Sequence, residues 1–157
     1  MVFVSVFVGG CTAPRYALSG VKESRLIESK NDSKFFVQVE GKSGWEQEFK
    51  GLLETYLKEK EFRVEASKTD NDILVLTVTI KKAEIDTAWK KHFVPRFTKT
   101  NILTDVSLTR GENIILEFTL FSKAPIYDLD VFVPRRSAVL DSAAKEIVNE
   151  LSKRLRK

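Results

Sequence analysis

Residues 33–57 read SKFFVQVEGKSGWEQEFKGLLETYL, and within this one stretch the hydrophobic pattern changes from alternation to helical spacing. Phe35, Val37 and Val39 alternate with the polar Gln38 and Glu40. An extended chain puts those apolar side chains on one face, which predicts a strand with one buried side. Ser43 followed by Glu46 matches a capping box, in which hydroxyl and carboxylate satisfy backbone N–H groups that a first helical turn leaves unpaired. From there Trp45, Phe49, Leu52, Leu53, Tyr56 and Leu57 recur at helical spacing and form a single apolar stripe. Glu46, Glu48, Lys50, Glu54, Lys58 and Lys60 cover the remainder of that helix. A strand that buries one face, leading into a helix that buries one stripe, calls for helix packed on sheet.

The flanking sequence extends this layer. Phe62, Val64 and Ala66 alternate with Arg63 and Glu65, a second strand, and KTDND (68–72) reads as a turn. ILVLTVTI (73–80) is apolar on both faces and predicts a central strand. Ile102, Thr104, Val106 and Leu108 alternate into TRGEN (109–113), a hairpin signal. The return strand places Ile114, Leu116, Phe118 and Leu120 on one face, and IYDLDVFV (126–133) suggests one strand more. Ser137 can cap a closing helix with Leu140, Ala143, Ala144, Ile147, Val148, Leu151 and Leu155 on one side. The expected fold is α+β: a mixed, mainly antiparallel sheet in the order β-α-β-β-β-β-(β)-α, with two helices on one face. The first strand-helix-strand unit is expected to be a right-handed crossover.

The chain opens MVFVSVFVGGCTAP (1–14). Val2–Val8 is uncharged but far short of the ~20 residues of a membrane span. It can be a buried strand that makes Cys11 a small core residue, or the apolar part of a signal sequence. In the second reading Val8-Gly9-Gly10-Cys11 resembles a lipobox, and Cys11 carries the lipid. The second is favoured, because Gly9-Gly10 packs poorly as a strand end and Thr12-Ala13-Pro14 looks like a tether. No Lys or Arg precedes Val2, and an upstream start would supply the missing basic region. The expected organisation is a signal-peptide remnant at 1–10, a lipid-anchored, mostly flexible tether at 11–33, in which Tyr16-Ala17-Leu18 can form a short strand or an anchor onto the domain, and one α+β domain at 34–157. A tether of this length would have an r.m.s. reach of ~25 Å, and its deletion would change stability by less than about 1 kcal/mol.

Composition narrows the chemistry. The chain has 157 residues, enough for one core, with a net charge of +4. That excess is too small for the basic stripe of a nucleic-acid binder. One Cys, one Met and a single imidazole, His92, leave no material for a disulfide framework or a metal site rich in any of them. The DND triplet (70–72) lacks the glycine and glutamate of a calcium loop. No catalytic residues, cofactor or metal are expected, and the protein is read as not an enzyme. The segment with binding character is 86–100, where Trp89, Phe93 and Phe97 interleave with Lys90, Lys91 and Arg96. Aromatics of this kind settle at interfaces, and the cations suit lipid phosphates.

Cys11 in its lipobox, YALS (Tyr16–Ser19) and the helix-opening Trp45 resemble features of the auxiliary lipoproteins of ABC-type lipid-transport systems. The general outline also resembles lipopolysaccharide-assembly lipoproteins. The resemblance implies a non-enzymatic accessory protein of an envelope transport or assembly complex. It would be anchored in the outer membrane through Cys11 and face the periplasm. Implied partners are the membrane and an envelope protein, with phospholipid or lipopolysaccharide contact through 86–100 and no nucleic acid. The alternative is a periplasmic protein that itself binds a lipid or glycolipid.

Overall fold

The computed structural model describes residues 15–23, 33–68, 72–85, 98–126 and 135–155. Along the chain the elements are β1 (Arg15–Glu23), β2 (Lys34–Glu40), α1 (Glu46–Glu59), β3 (Arg63–Val64), β4 (Leu74–Ile85), β5 (Thr98–Arg110), β6 (Asn113–Ile126) and α2 (Arg135–Leu155). One six-stranded sheet runs β1-β6-β5-β4-β2-β3. The β1, β6, β5 and β4 ladders are antiparallel, and β4, β2 and β3 are parallel. The fold is the expected α+β layer, with both helices against the sheet.

Each helix stripe finds the sheet face that the alternation predicts. Phe35 and Val37 of β2, Leu74, Leu76 and Val78 of β4, and Ile102, Val106 and Leu108 of β5 point into the core. Phe49, Leu53 and Leu57 of α1 meet them, fully buried, with Leu52 and Tyr56 partly buried beside them. Val139, Leu140, Ala143, Ala144, Ile147 and Leu151 of α2 are also wholly enclosed. Phe35 and Phe62 meet edge to face at 5.0 Å and close the core below β3. On the other face Ile73, just before β4, and Val75 within it are buried as well, which explains the apolar run at 73–76.

The start of α1 differs from the capping box in one half. Glu46 Oε1 accepts from the Ser43 backbone N–H at 2.8 Å, as expected, but the Ser43 hydroxyl serves Trp45 N–H at 3.2 Å. Backbone N–H groups, its own and that of Ser43, hold the Glu46 carboxyl below its usual range. Gly41 is needed here, because a Cβ would lie 2.7 Å from Glu46 Oε1 and 3.2 Å from Ile80 Cβ.

Four expectations change. Arg15–Glu23, inside the expected tether, is a strand that pairs with β6 from Arg15↔Lys123 to Glu23↔Leu116. Its ladder is broken between Ser19 and Lys22, where Gly20 takes φ +62°. Ile114 leaves the core face and is 51% exposed, because the ladder shifts at Leu108/Thr109 and Ile115 is buried instead. The strand after Phe62 shrinks to Arg63–Val64. Ser137 lies inside α2, and its hydroxyl donates to Glu48 Oε1 of α1 at 2.5 Å instead of capping. Of the strand expected at 126–133, only Ile126 lies among the described residues, as the end of β6.

The two helices are latched by polar pairs. Glu48 also meets Arg136 at 2.6 Å, and Tyr56 Oη donates to Asp141 Oδ1 at 2.5 Å. That hydrogen bond and partial burial push the phenol up to about 12 from its ordinary 10.0. A raised pKa means the neutral form is favoured by folding, so the contribution is full below pH 10.0 and is lost as pH rises through about 12. We expect Tyr56→Phe to cost about 1 kcal/mol at neutral pH, since the site is partly solvated. Phenolate absorbance during alkaline titration should lose, in that variant, the component that titrates near pH 12.

Candidate functional site

The strand registers gather several chain segments at one end of the sheet. Ile85 at the end of β4 pairs with Thr100, and Thr98 at the start of β5 pairs with Ile126 at the end of β6. Arg15, which opens β1, pairs with Lys123, three residues before β6 ends. Segment 86–97 therefore leaves and re-enters the sheet at the same end as β1 begins. The 127–134 connection departs there too. Both helices start on this side, since Ser137 near the start of α2 bonds Glu48 in the first turn of α1. At the far end, Arg154 of α2 meets Glu23 of β1 at 2.7 Å.

The residues proposed for contact, Trp89, Lys90, Lys91, Phe93, Arg96 and Phe97, lie outside the described residues, as does Cys11. The structure supplies the position of their flanks. The sequence reading allowed a short strand at Tyr16-Ala17-Leu18 within a tether, and the structure extends it to Arg15–Glu23, beginning four residues after Cys11. The one available signal was Tyr16-Ala17-Leu18, whose alternation puts Leu18 against the core.

The face turned away from the helices is polar along its middle. Cross-strand neighbours run Gln38, Thr77, Ser107, Glu117 and, one row on, Glu40, Thr79, Asp105, Thr119, Ser19. Thr119 Oγ1 donates to Asp105 Oδ1 at 2.8 Å, and Lys81 Nζ lies 3.3 Å from Asp105 Oδ2. Toward the gathered end, Lys82 pairs with Glu84 at 2.8 Å and Lys123 Nζ sits 5.0 Å from the Phe121 ring centre. In sequence, residues 81–100 carry Lys81, Lys82, Lys90, Lys91, Arg96 and Lys99 against only Glu84 and Asp86.

A concavity of about 280 Å³ lies between the outer side of α1 and β3, lined by residues that include Lys50, Gly51, Glu54, Lys58, Val64 and Glu65. Lys50 and Glu54 pair at 3.7 Å, and the Lys50 Nζ lies 5.6 Å from the Phe36 ring centre. Its charges are of both signs and offset one another, which gives little selectivity. Among the described residues, no group of three or more His, Cys, Asp or Glu is placed to hold a metal ion.

No protein-family model matches the chain, and no curated protein matches it in sequence. Its fold is shared with solved bacterial structures. A PelC dodecamer from Paraburkholderia phytofirmans aligns with a TM-score of 0.56 at 10% identity, over 89% of this chain and 98% of that one. A minor lipoprotein from Acinetobacter baumannii aligns at 0.54 and 13% identity, over 78% and 94%. Protein XCC0632 from Xanthomonas campestris, of family DUF330, aligns at 0.53 and 10%, over 82% and 86%. At such identities the likeness is one of fold.

Proposed function

We propose that this protein is a lipid-anchored, non-catalytic accessory component of the bacterial cell envelope, serving a transport or assembly complex at the outer membrane. The observation that carries this reading is Val8-Gly9-Gly10-Cys11 standing four residues ahead of a fold that a bacterial minor lipoprotein also has. In it, Cys11 is acylated, and the several chains of a processed lipoprotein make the anchor durable where one would be marginal. Trp89, Lys90, Lys91, Phe93, Arg96 and Phe97 then meet phospholipid or lipopolysaccharide phosphates, or an envelope protein. Their segment is rooted at the end of the sheet where the anchor arrives.

The test is direct. Expressed in a Gram-negative host, the protein is expected to incorporate labelled fatty acid and to sediment with membranes, and Cys11→Ser to lose both. Equal labelling of the two forms would falsify the anchor. Organic extraction of purified protein followed by mass spectrometry separates this role from that of a lipid carrier, since a carrier brings ligand with it.

A further inference from the structure

We propose that the end of the sheet where β1 begins is the surface this protein holds against an anionic membrane, on a leash of only three residues. The inference rests on the anchor reading of Cys11 and adds an orientation to it. Thr12, Ala13 and Pro14 alone separate Cys11 from Arg15, the first residue of β1. Four fully extended steps reach at most ~14 Å. A 22-residue flexible tether would have let the domain turn freely at ~25 Å; a strand hydrogen-bonded into the sheet removes that freedom. β1 then runs away from the anchored end for nine residues, which sets Glu23 and the far end ~26 Å further out.

Charge favours the same orientation. Among the described strand residues, the near end carries Arg15, Lys82, Lys99 and Lys123 against Glu84. α2 begins on this side with Arg135 and Arg136 and has no acidic residue in its first turn. Glu46 and Glu48 in the first turn of α1 stand at the same end, where Glu48 offsets Arg136 at 2.6 Å and Glu84 offsets Lys82, so the cationic surplus rests on Arg15, Lys99, Lys123 and Arg135. At the far end Lys153 and Arg154 are matched by Glu150 and Glu23. Phosphate-bearing lipid is the chemistry that complements the near end.

Two lysines serve as matched probes. Lys82 at the near end and Lys153 at the far end each have a side chain 63% exposed and a carboxylate oxygen 2.8 Å away. Because Cys11 is the sole cysteine, the full chain can be coupled there to a maleimide phospholipid in vesicles, whether or not a cell acylates it. Acetylation by a water-soluble ester is then followed by peptide mass spectrometry, with the maleimide-capped free chain as reference. On vesicles of phosphatidylcholine with phosphatidylglycerol, Lys82 is expected to react roughly threefold more slowly than in the free chain, while Lys153 is unchanged. On phosphatidylcholine alone the difference should shrink. Equal change at both lysines, preferential protection of Lys153, or protection no greater on the anionic vesicles overturns the proposal. Failure of acyl labelling in cells would instead remove the anchor, a result that this measurement does not depend on.

Discussion

Deleting residues 1–23 is expected to lower the unfolding free energy by about 3–5 kcal/mol, the largest loss from any single tail or surface change in this protein. The ladder from Arg15↔Lys123 to Glu23↔Leu116 is removed, each of its backbone hydrogen bonds being worth about 0.5–1.5 kcal/mol net. Leu18 leaves the core cluster, and Arg154 loses Glu23 at 2.7 Å. The deletion also turns β6 into a long edge strand, so the truncated chain should aggregate as well as unfold more easily. Urea unfolding of the full chain and of 24–157, with light scattering on the same samples, measures both effects. A cost under about 1 kcal/mol would restore the tether and detach β1 from the fold. Leu18→Ala, which removes one contact and keeps the ladder, should fall well below the deletion.

Phe49→Ala and Leu53→Ala should each cost about 2–5 kcal/mol. Both side chains are fully enclosed between α1 and the sheet, so truncation loses transfer free energy and leaves a cavity that packed neighbours cannot fill. Leu52, the next residue, is only partly buried and provides an internal comparison. Leu52→Ala should cost about half as much or less, because water replaces part of what is removed. Equal losses at Leu52 and Leu53 would mean that α1 is rotated about its axis relative to the sheet. Midpoints and slopes from denaturant unfolding distinguish this from a change in the unfolded state.

The stretch 33–57 was legible because both of its elements bury one side only. Phe35, Val37 and the α1 stripe are enclosed as their spacing demands. The central position of β4 was legible because residues 73–76 are apolar and buried on both faces where two strands flank them, although Thr77 and Thr79 join the polar outer face further along. β1 was far less legible. It is an edge strand whose Tyr16 and Val21 stay exposed, and its stability comes from main-chain hydrogen bonds to β6. Backbone donors and acceptors are the same in every residue, so a strand held mainly by them leaves little trace in side-chain pattern.

The same division runs through the candidate site. Sequence alone determined the residue types: a lone Cys11 behind two glycines, and a cationic, aromatic segment between Asp86 and Thr100. It also determined that one core would be built from two amphipathic helices and an alternating sheet. Only the tertiary structure decided that the strands adjoining these segments begin and end on one side of the sheet. Arg15 and Thr98 are far apart in the chain, and what joins them is the β1-β6-β5 register. Register is a pairing between strands, fixed by packing of a common buried face and by the bulges at Ser19/Lys22 and Leu108/Thr109. No single strand's sequence contains it.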